Sequence, residues 1–243
     1  MKNIAVIFAG GYGVRMQKPG MPKQFLEANG KPVIIYTLEI FEHHPQIDAI
    51  CVSCIESWIP NLERLIQKYG IRKVVSVVPG GPTGQDSIYN GLCAARQYAE
   101  ACKETDAFVL IHDGVRPLEL PETISANLQI AHEHGNCITC VPATETIVIA
   151  PQGGQPYVPG RNESFLARAP QTFRLFDILA AQTQARKDGR HDYIDSSTLM
   201  HHYGHRLYSC IGSYENIKIT TPTDFFIFRA ILKMREDQQA YGI

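Results

Sequence analysis

Short, almost wholly apolar runs punctuate this chain, and a stretch with helical spacing follows most of them. Residues 4–9, 47–55, 73–78, 107–112 and 137–142 read as strands, several apolar enough to be buried on both faces. Residues 32–41, 59–69, 85–100 and 121–134 carry helical periodicity, as do residues 222–237, for which Thr221 or Thr223 is a cap. Residues 206–211 and 216–220 also look like strands. This alternation predicts an α/β fold with a mainly parallel sheet flanked on both faces by helices. In such sheets ligands gather at the carboxyl ends of the strands. The length, 243 residues, suits one large domain or two small ones, and a single domain over 1–243 is expected. The pattern fails from about Thr144 to Phe165. Pro151, Gly153, Gly154, Pro156, Pro159 and Gly160 cluster there, so a functional loop or an arm is expected over roughly 144–165.

Composition narrows the function classes. A net charge of −1 argues against a broad basic face for nucleic acid but permits a local basic pocket. No apolar run reaches the ~18 residues of a membrane span, and the glycines after the first apolar run are unlike a signal cleavage site, so a cytoplasmic location is expected. Seven cysteines are scattered along the chain. The pairs Cys51/Cys54 and Cys137/Cys140 sit in strand-like runs, where positions three apart face opposite ways, so reduced and mostly buried thiols are expected rather than a zinc site.

Four motifs fall where the strands end. The first is Ala9-Gly10-Gly11-Tyr12-Gly13-Val14-Arg15-Met16, followed by Lys23 in a Pro-Lys-Gln-Phe run. Glycines let backbone N–H groups approach phosphate oxygens, and two cations close by suit a triphosphate. A structural turn explains the glycines equally well, and Lys18 reads as solvated. The second is His112-Asp113-Gly114-Val115-Arg116-Pro117. Asp113 is placed to hold a Mg²⁺ that bridges phosphates. His112 reads better as scaffold than as base, and Arg116 either pairs with a carboxylate such as Asp113 or meets ligand. The third is Pro79-Gly80-Gly81-Pro82-Thr83-Gly84-Gln85-Asp86-Ser87. Asp86 or Ser87 either caps the next helix or joins the glycines in presenting polar groups to a nucleobase. The fourth places Lys218 before Thr220-Thr221-Pro222, as a phosphate contact or a surface strand lysine. Together these groups are equipment for nucleotidyl transfer, in which catalysis is mostly positioning and charge stabilisation.

The runs FAGGYGVRM, MPKQFL, PGGPTGQDSIYNGL, HDGVRP, RNESFLARAPQTF and NIKITTPTDF occur in an order that resembles the cytidylyltransferases that activate polyol phosphates. That resemblance implies a Rossmann-like α/β fold, CTP as substrate, Mg²⁺, and a homodimer whose projecting arm reaches the partner's site. It implies that Ala9, Gly10, Gly11 and Gly13 surround the triphosphate with Arg15 and Lys23 in contact, and that Gly80, Asp86 and Ser87 surround cytosine and ribose. Asp113 would hold the metal and Lys218 the α-phosphate, with Arg116 on the acceptor side. Arg161, nine residues before Pro170, and Thr146 match positions that meet the acceptor's phosphate from the neighbouring arm.

Within this resemblance, Ala-Gly-Gly in the first loop, the eight-residue step from Arg15 to Lys23, Gly114-Val115-Arg116, and Ile147-Val148 after Thr146 lean toward the branch that uses D-ribitol 5-phosphate. The alternative is the branch acting on 2-C-methyl-D-erythritol 4-phosphate in isoprenoid synthesis. Two positions depart from the pattern: Gly84 stands where many members have arginine, and Ala169 replaces a threonine. A non-catalytic nucleotide-binding protein is the more distant alternative. An NAD-dependent dehydrogenase is disfavoured, because it wants GxGxxG and an acidic residue ~20 positions on.

Overall fold

The computed structural model describes residues 1–11 and 21–242, so Gly13 and Arg15 of the first motif lie outside the described residues. In chain order the elements are β1 (Lys2–Ala9), β2 (Glu27–Ala28), β3 (Lys31–Pro32), α1 (Val33–His43), β4 (Ala49–Cys54) and α2 (Ile59–Lys68). Then come β5 (Val74–Pro79), α3 (Gly84–Ala101), β6 (Ala107–Asp113), α4 (Pro121–His134), β7 (Asn136–Pro142) and β8 (Phe165–Arg174). The chain ends with α5 (Leu175–Lys187), α6 (Ser196–His202), β9 (Ser209–Ile211) and α7 (Pro222–Tyr241).

The main sheet has seven strands in the order β5-β4-β1-β6-β8-β7-β9. β5, β4, β1 and β6 run parallel, and β8 enters antiparallel between β6 and β7. The strands expected to be buried on both faces are so: every residue of β4 and of β6 is buried. One face carries α3, α5 and α6 over Val6, Val109 and Phe173. The other carries α1, α2 and α4 over Ile7, Ile50 and Leu110. Cys51 and Cys54 belong to these cores, and burial pushes both thiols up to about 12.

Sequence and structure part in three places. β8, α5 and α6 occupy a stretch to which the apolar pattern assigns no element. Residues 216–220 form no strand, although Ile217 and Ile219 alternate. The Ile219 amide donates to the Val115 carbonyl (2.9 Å) and that of Ile217 to Glu215 (2.6 Å), so the segment is pinned to the loop after β6 instead of a sheet neighbour. The cap of α3 is Thr83, not Asp86 or Ser87: its hydroxyl accepts from the Asp86 amide while the Asp86 carboxylate accepts from the Thr83 amide, which starts the helix at Gly84. Thr221 caps α7 in the same way. The irregular segment after β7 is tied by a lone antiparallel bridge between Ile149 and Tyr157, and Val148, Tyr157 and Val158 are exposed on it.

Register brings the motif loops together. Phe8 of β1 pairs with Asp113 of β6, and the Gly114 amide donates to the Phe8 carbonyl at 3.0 Å. α3 lies close over β1, because a β-carbon on Gly91 would stand 2.7 Å from Val6 Cγ1. Alanine normally favours a helix interior over glycine by about 1 kcal/mol. Overpacking costs about 1–3 kcal/mol, and Val6 is stiff and fully buried. The net expectation for Gly91→Ala is a loss of about 1 kcal/mol, read as a lower urea midpoint at unchanged slope. A stabilised variant would show that the α3–β1 contact is looser than described.

Candidate active site

Two adjoining pockets open at the carboxyl ends of β1 and β6. The first, of about 410 Å³, is lined by Ala9, Gly10, Gly11, Lys23, Gly81 and Ser87. The second, of about 490 Å³, is lined by Arg116, Arg168, Gln171 and the segment from His191 to Ser196. Phe8, Thr83, Gly84, Asp113 and Lys218 line both, so they form the boundary between the two.

On the first side two glycine loops interlock. A β-carbon on Gly10 would come within 2.4 Å of Ser87 Oγ, and one on Gly80 within 2.8 Å of the Gly10 Cα. Larger residues would force the loops apart. The Gly80 amide is taken by the Cys54 carbonyl (2.6 Å), so Gly80 supports the loop, and it is Gly81 that reaches the pocket wall. The Gly81 amide donates to Ser87 Oγ (3.0 Å), whose hydroxyl donates on to the Thr83 carbonyl (3.1 Å). Asp86 lines neither pocket: its carboxylate closes the α3 cap and pairs with Arg186 at 2.6 Å. Lys23 stands at the start of a short 3₁₀ turn, Lys23–Phe25, and lines the first pocket. Its neighbour Gln24 is buried and donates to the Ala9 carbonyl (2.7 Å), which fixes the end of β1.

At the boundary Asp113 accepts from Arg116 Nε at 2.8 Å and pairs with Lys218 Nζ at 2.6 Å. Burial alone would raise its pKa. The Arg116 charge and then the Lys218 charge overcome that and hold the carboxyl well below the usual carboxylate range. Of the two readings left open above, Arg116 pairs with Asp113, and it also lines the second pocket. His112 is scaffold: its Nε2 donates to the Arg116 carbonyl (3.1 Å), and burial lowers its pKa to about 4, so it is neutral at pH 7.

The lysine loop is held by residues that the motifs do not single out. Arg116 Nη1 donates to the Asn216 carbonyl (2.9 Å). Asn216 Nδ2 donates to the Ala169 carbonyl (2.6 Å) and to Glu119 Oε2. Buried amides and carboxylates at loop positions are the signal that could have found them. Arg161 sits in the 3₁₀ turn Arg161–Glu163, exposed, and neither it nor Thr146 lines either of these two pockets.

Among the described residues, no group of three or more His, Cys, Asp or Glu gathers as a metal site. One ionised carboxylate, Asp113, on the boundary of the two pockets does suit Mg²⁺, which takes most of its ligands from phosphate and water. It does not suit a structural zinc site, which wants four protein ligands.

The chain is similar to known cytidylyltransferases. The IspD family model, 2-C-methyl-D-erythritol 4-phosphate cytidylyltransferase, matches residues 3–234. A ribitol-5-phosphate cytidylyltransferase of Streptococcus agalactiae serotype V is 49% identical over 244 residues, covering 100% of both chains. A 2-C-methyl-D-erythritol 4-phosphate cytidylyltransferase of Clostridium botulinum is 36% identical, over 96% of this chain and 98% of its own. In fold, the crystal structure of a 4-diphosphocytidyl-2C-methyl-D-erythritol synthase from Anaerococcus prevotii aligns with a TM-score of 0.81 over 96% of each chain, at 24% identity.

Glu119 gives a pH signature. It is 2% exposed, and burial raises its pKa to about 7 against smaller opposing effects, chiefly the Leu120 amide bond. A carboxyl with a raised folded pKa binds more protons folded than unfolded between its two pKa values. Its neutral form is therefore favoured in the fold near pH 5, and stability falls as pH rises toward about 7. Glu119→Gln should remove that decline, on the order of 2 kcal/mol between pH 5 and pH 8. Urea denaturation at the two pH values checks it; parallel losses in both proteins would contradict the assignment.

Proposed function

The chain belongs to the 2-C-methyl-D-erythritol 4-phosphate cytidylyltransferase family of CTP-dependent nucleotidyltransferases, and from that premise we propose that it makes CDP-ribitol from CTP and D-ribitol 5-phosphate. The observation that carries the reading is the Asp113–Lys218 pair on the boundary shared by a glycine-walled pocket and a cation-lined one. Ribitol is favoured over methylerythritol phosphate because the ribitol-acting relatives are nearer in sequence.

CTP occupies the glycine side, with Ala9, Gly10, Gly11 and Gly81 against its phosphates and Ser87 toward the nucleoside. Gly13 and Arg15 of the same sequence motif would join them. The acceptor lies on the Arg116 side. Its phosphate oxygen attacks the α-phosphorus in line, a phosphoanhydride bond forms, and the bond to the β-phosphate breaks to release pyrophosphate. A phosphate monoester has a second pKa near ~6, so the nucleophile is already anionic at neutral pH and no side chain serves as base. Lys218 and Lys23 offset the charge that accumulates in the transition state. Asp113 would hold a Mg²⁺ ion there, and the ion would supply further charge neutralisation. Binding at the site releases Lys218 from Asp113 to the α-phosphate. The irregular segment serves as the arm of a homodimer and carries Thr146 and Arg161 to the partner's acceptor pocket. Its exposed Val148, Tyr157 and Val158 suit such a contact. The whole chain works as one domain in the cytoplasm, without nucleic acid or membrane.

Pyrophosphate release from CTP and Mg²⁺ with each of the two polyol phosphates tests the reading. D-ribitol 5-phosphate should be the better acceptor by kcat/KM, and a preference for methylerythritol phosphate would transfer the proposal to that branch. Lys218→Ala should lose ~10²–10³ in kcat, by analogy with a lost transition-state donor, while keeping its circular-dichroism spectrum. Near-normal turnover would remove Lys218 from the mechanism.

A further inference from the structure

Arg168 is the cation of the acceptor pocket that nothing above accounts for. It projects from β8 into the same cavity as Asp113, Arg116 and Lys218. Among the described residues its Nε, sealed from solvent, has no hydrogen-bond partner. Among the same residues no carboxylate pairs with it: Asp113 is taken by Arg116 and Lys218, Asp195 by the α6 cap and Gln171, and Asp192, exposed on the same pocket wall, makes no ion pair with it. Burial, and then the Arg116 charge, both work against its protonated form. A half-buried guanidinium beside a second guanidinium, with its Nε unpartnered, gains when an anion completes the site. The neighbouring position sharpens the point: Ala169 offers no hydroxyl there, and its carbonyl is already taken by Asn216.

We infer that Arg168 binds the phosphate monoester of the acceptor from within the same subunit, and so sets affinity for a phosphorylated polyol. The inference rests on the proposed function and names the residue that reads its second substrate. A planar guanidinium matches two phosphate oxygens at once. Arg168 lines the acceptor pocket alone and not the glycine-walled one, so its contact is with the acceptor and not with the triphosphate. The arginine acts by binding and orientation, and the bonds made and broken are those already given.

Steady-state kinetics of the full chain, with the wild type beside Arg168→Ala, Arg168→Gln and Arg168→Lys, test it. Arg168→Ala should raise the KM for D-ribitol 5-phosphate about ten- to a hundredfold, the usual worth of a charge-assisted hydrogen bond, and leave the KM for CTP within about twofold. Arg168→Gln should follow the alanine variant, and Arg168→Lys should recover part of the loss because it keeps the charge without the fork. The glutamine and lysine variants carry the test if the alanine variant folds poorly. An acceptor KM within about twofold of wild type in the uncharged variants overturns the inference, as does an equal rise in both KM values. If the wild type turns over neither polyol phosphate, the proposed function is what fails. Calorimetry with inorganic phosphate at saturating CTP then decides on Arg168 alone: weaker binding in Arg168→Gln supports the anion site, and equal binding overturns it.

Discussion

Removing a carboxylate from water costs several kcal/mol unless cations and hydrogen bonds replace the lost hydration. Asp113 sits at the end of a strand buried along its whole length, and Arg116 and Lys218 meet that cost. The two cations have different anchors. Arg116 follows three residues later, and its own carbonyl accepts from His112. Lys218 comes from a loop remote in sequence, tied down through Asn216 to Glu119 and to β8. The triad therefore locks together segments that the chain order keeps far apart, and it does so where the two pockets meet.

The division between the pockets follows from the sheet. Parallel β1 and β5 end in glycine-rich loops, and these approach each other closely enough that Gly10 and Gly80 leave no room for side chains. That side is built from main chain. The other side begins where β8 runs against the parallel direction, which sets Gln171 alongside β6 and Arg168 in the wall of the second pocket. It is built from side chains. A backbone cradle fits a ligand part common to many nucleotides, whereas side chains are free to vary with the acceptor.

Much of the fold was legible because burial on both faces leaves a plain mark: runs such as AICVSC and AFVLIHD admit few alternatives. β8 and α5 escaped because polar residues interrupt their stripes. Gln171 bonds Asp195 and Ser197, and Gln182 bonds Gln85, so these side chains are buried for hydrogen bonding rather than hydrophobicity. Ile217 and Ile219 misled in the opposite direction, since alternation there fits a loop against β6 as well as it fits a strand. Of the site, the glycine loops, Lys23, Asp113 and Lys218 could be named from motif chemistry. Gln24, Asn216 and Glu119 could not, since their work is to hold other groups and depends on contacts across the chain. Asp86 shows the converse error, an acidic residue beside a glycine loop whose task is to begin a helix.

Gly84 stands in the wall common to both cavities, and no described residue lies within 4 Å of where a β-carbon would enter. Gly10, Gly80 and Gly81 around this cleft are sterically obligatory, whereas a side chain at Gly84 meets none of the described scaffold. A long cationic side chain at that point would reach into either pocket. The position is thus a natural dial for evolution or engineering, where one codon change retunes the charge of the shared wall while the architecture stays as it is.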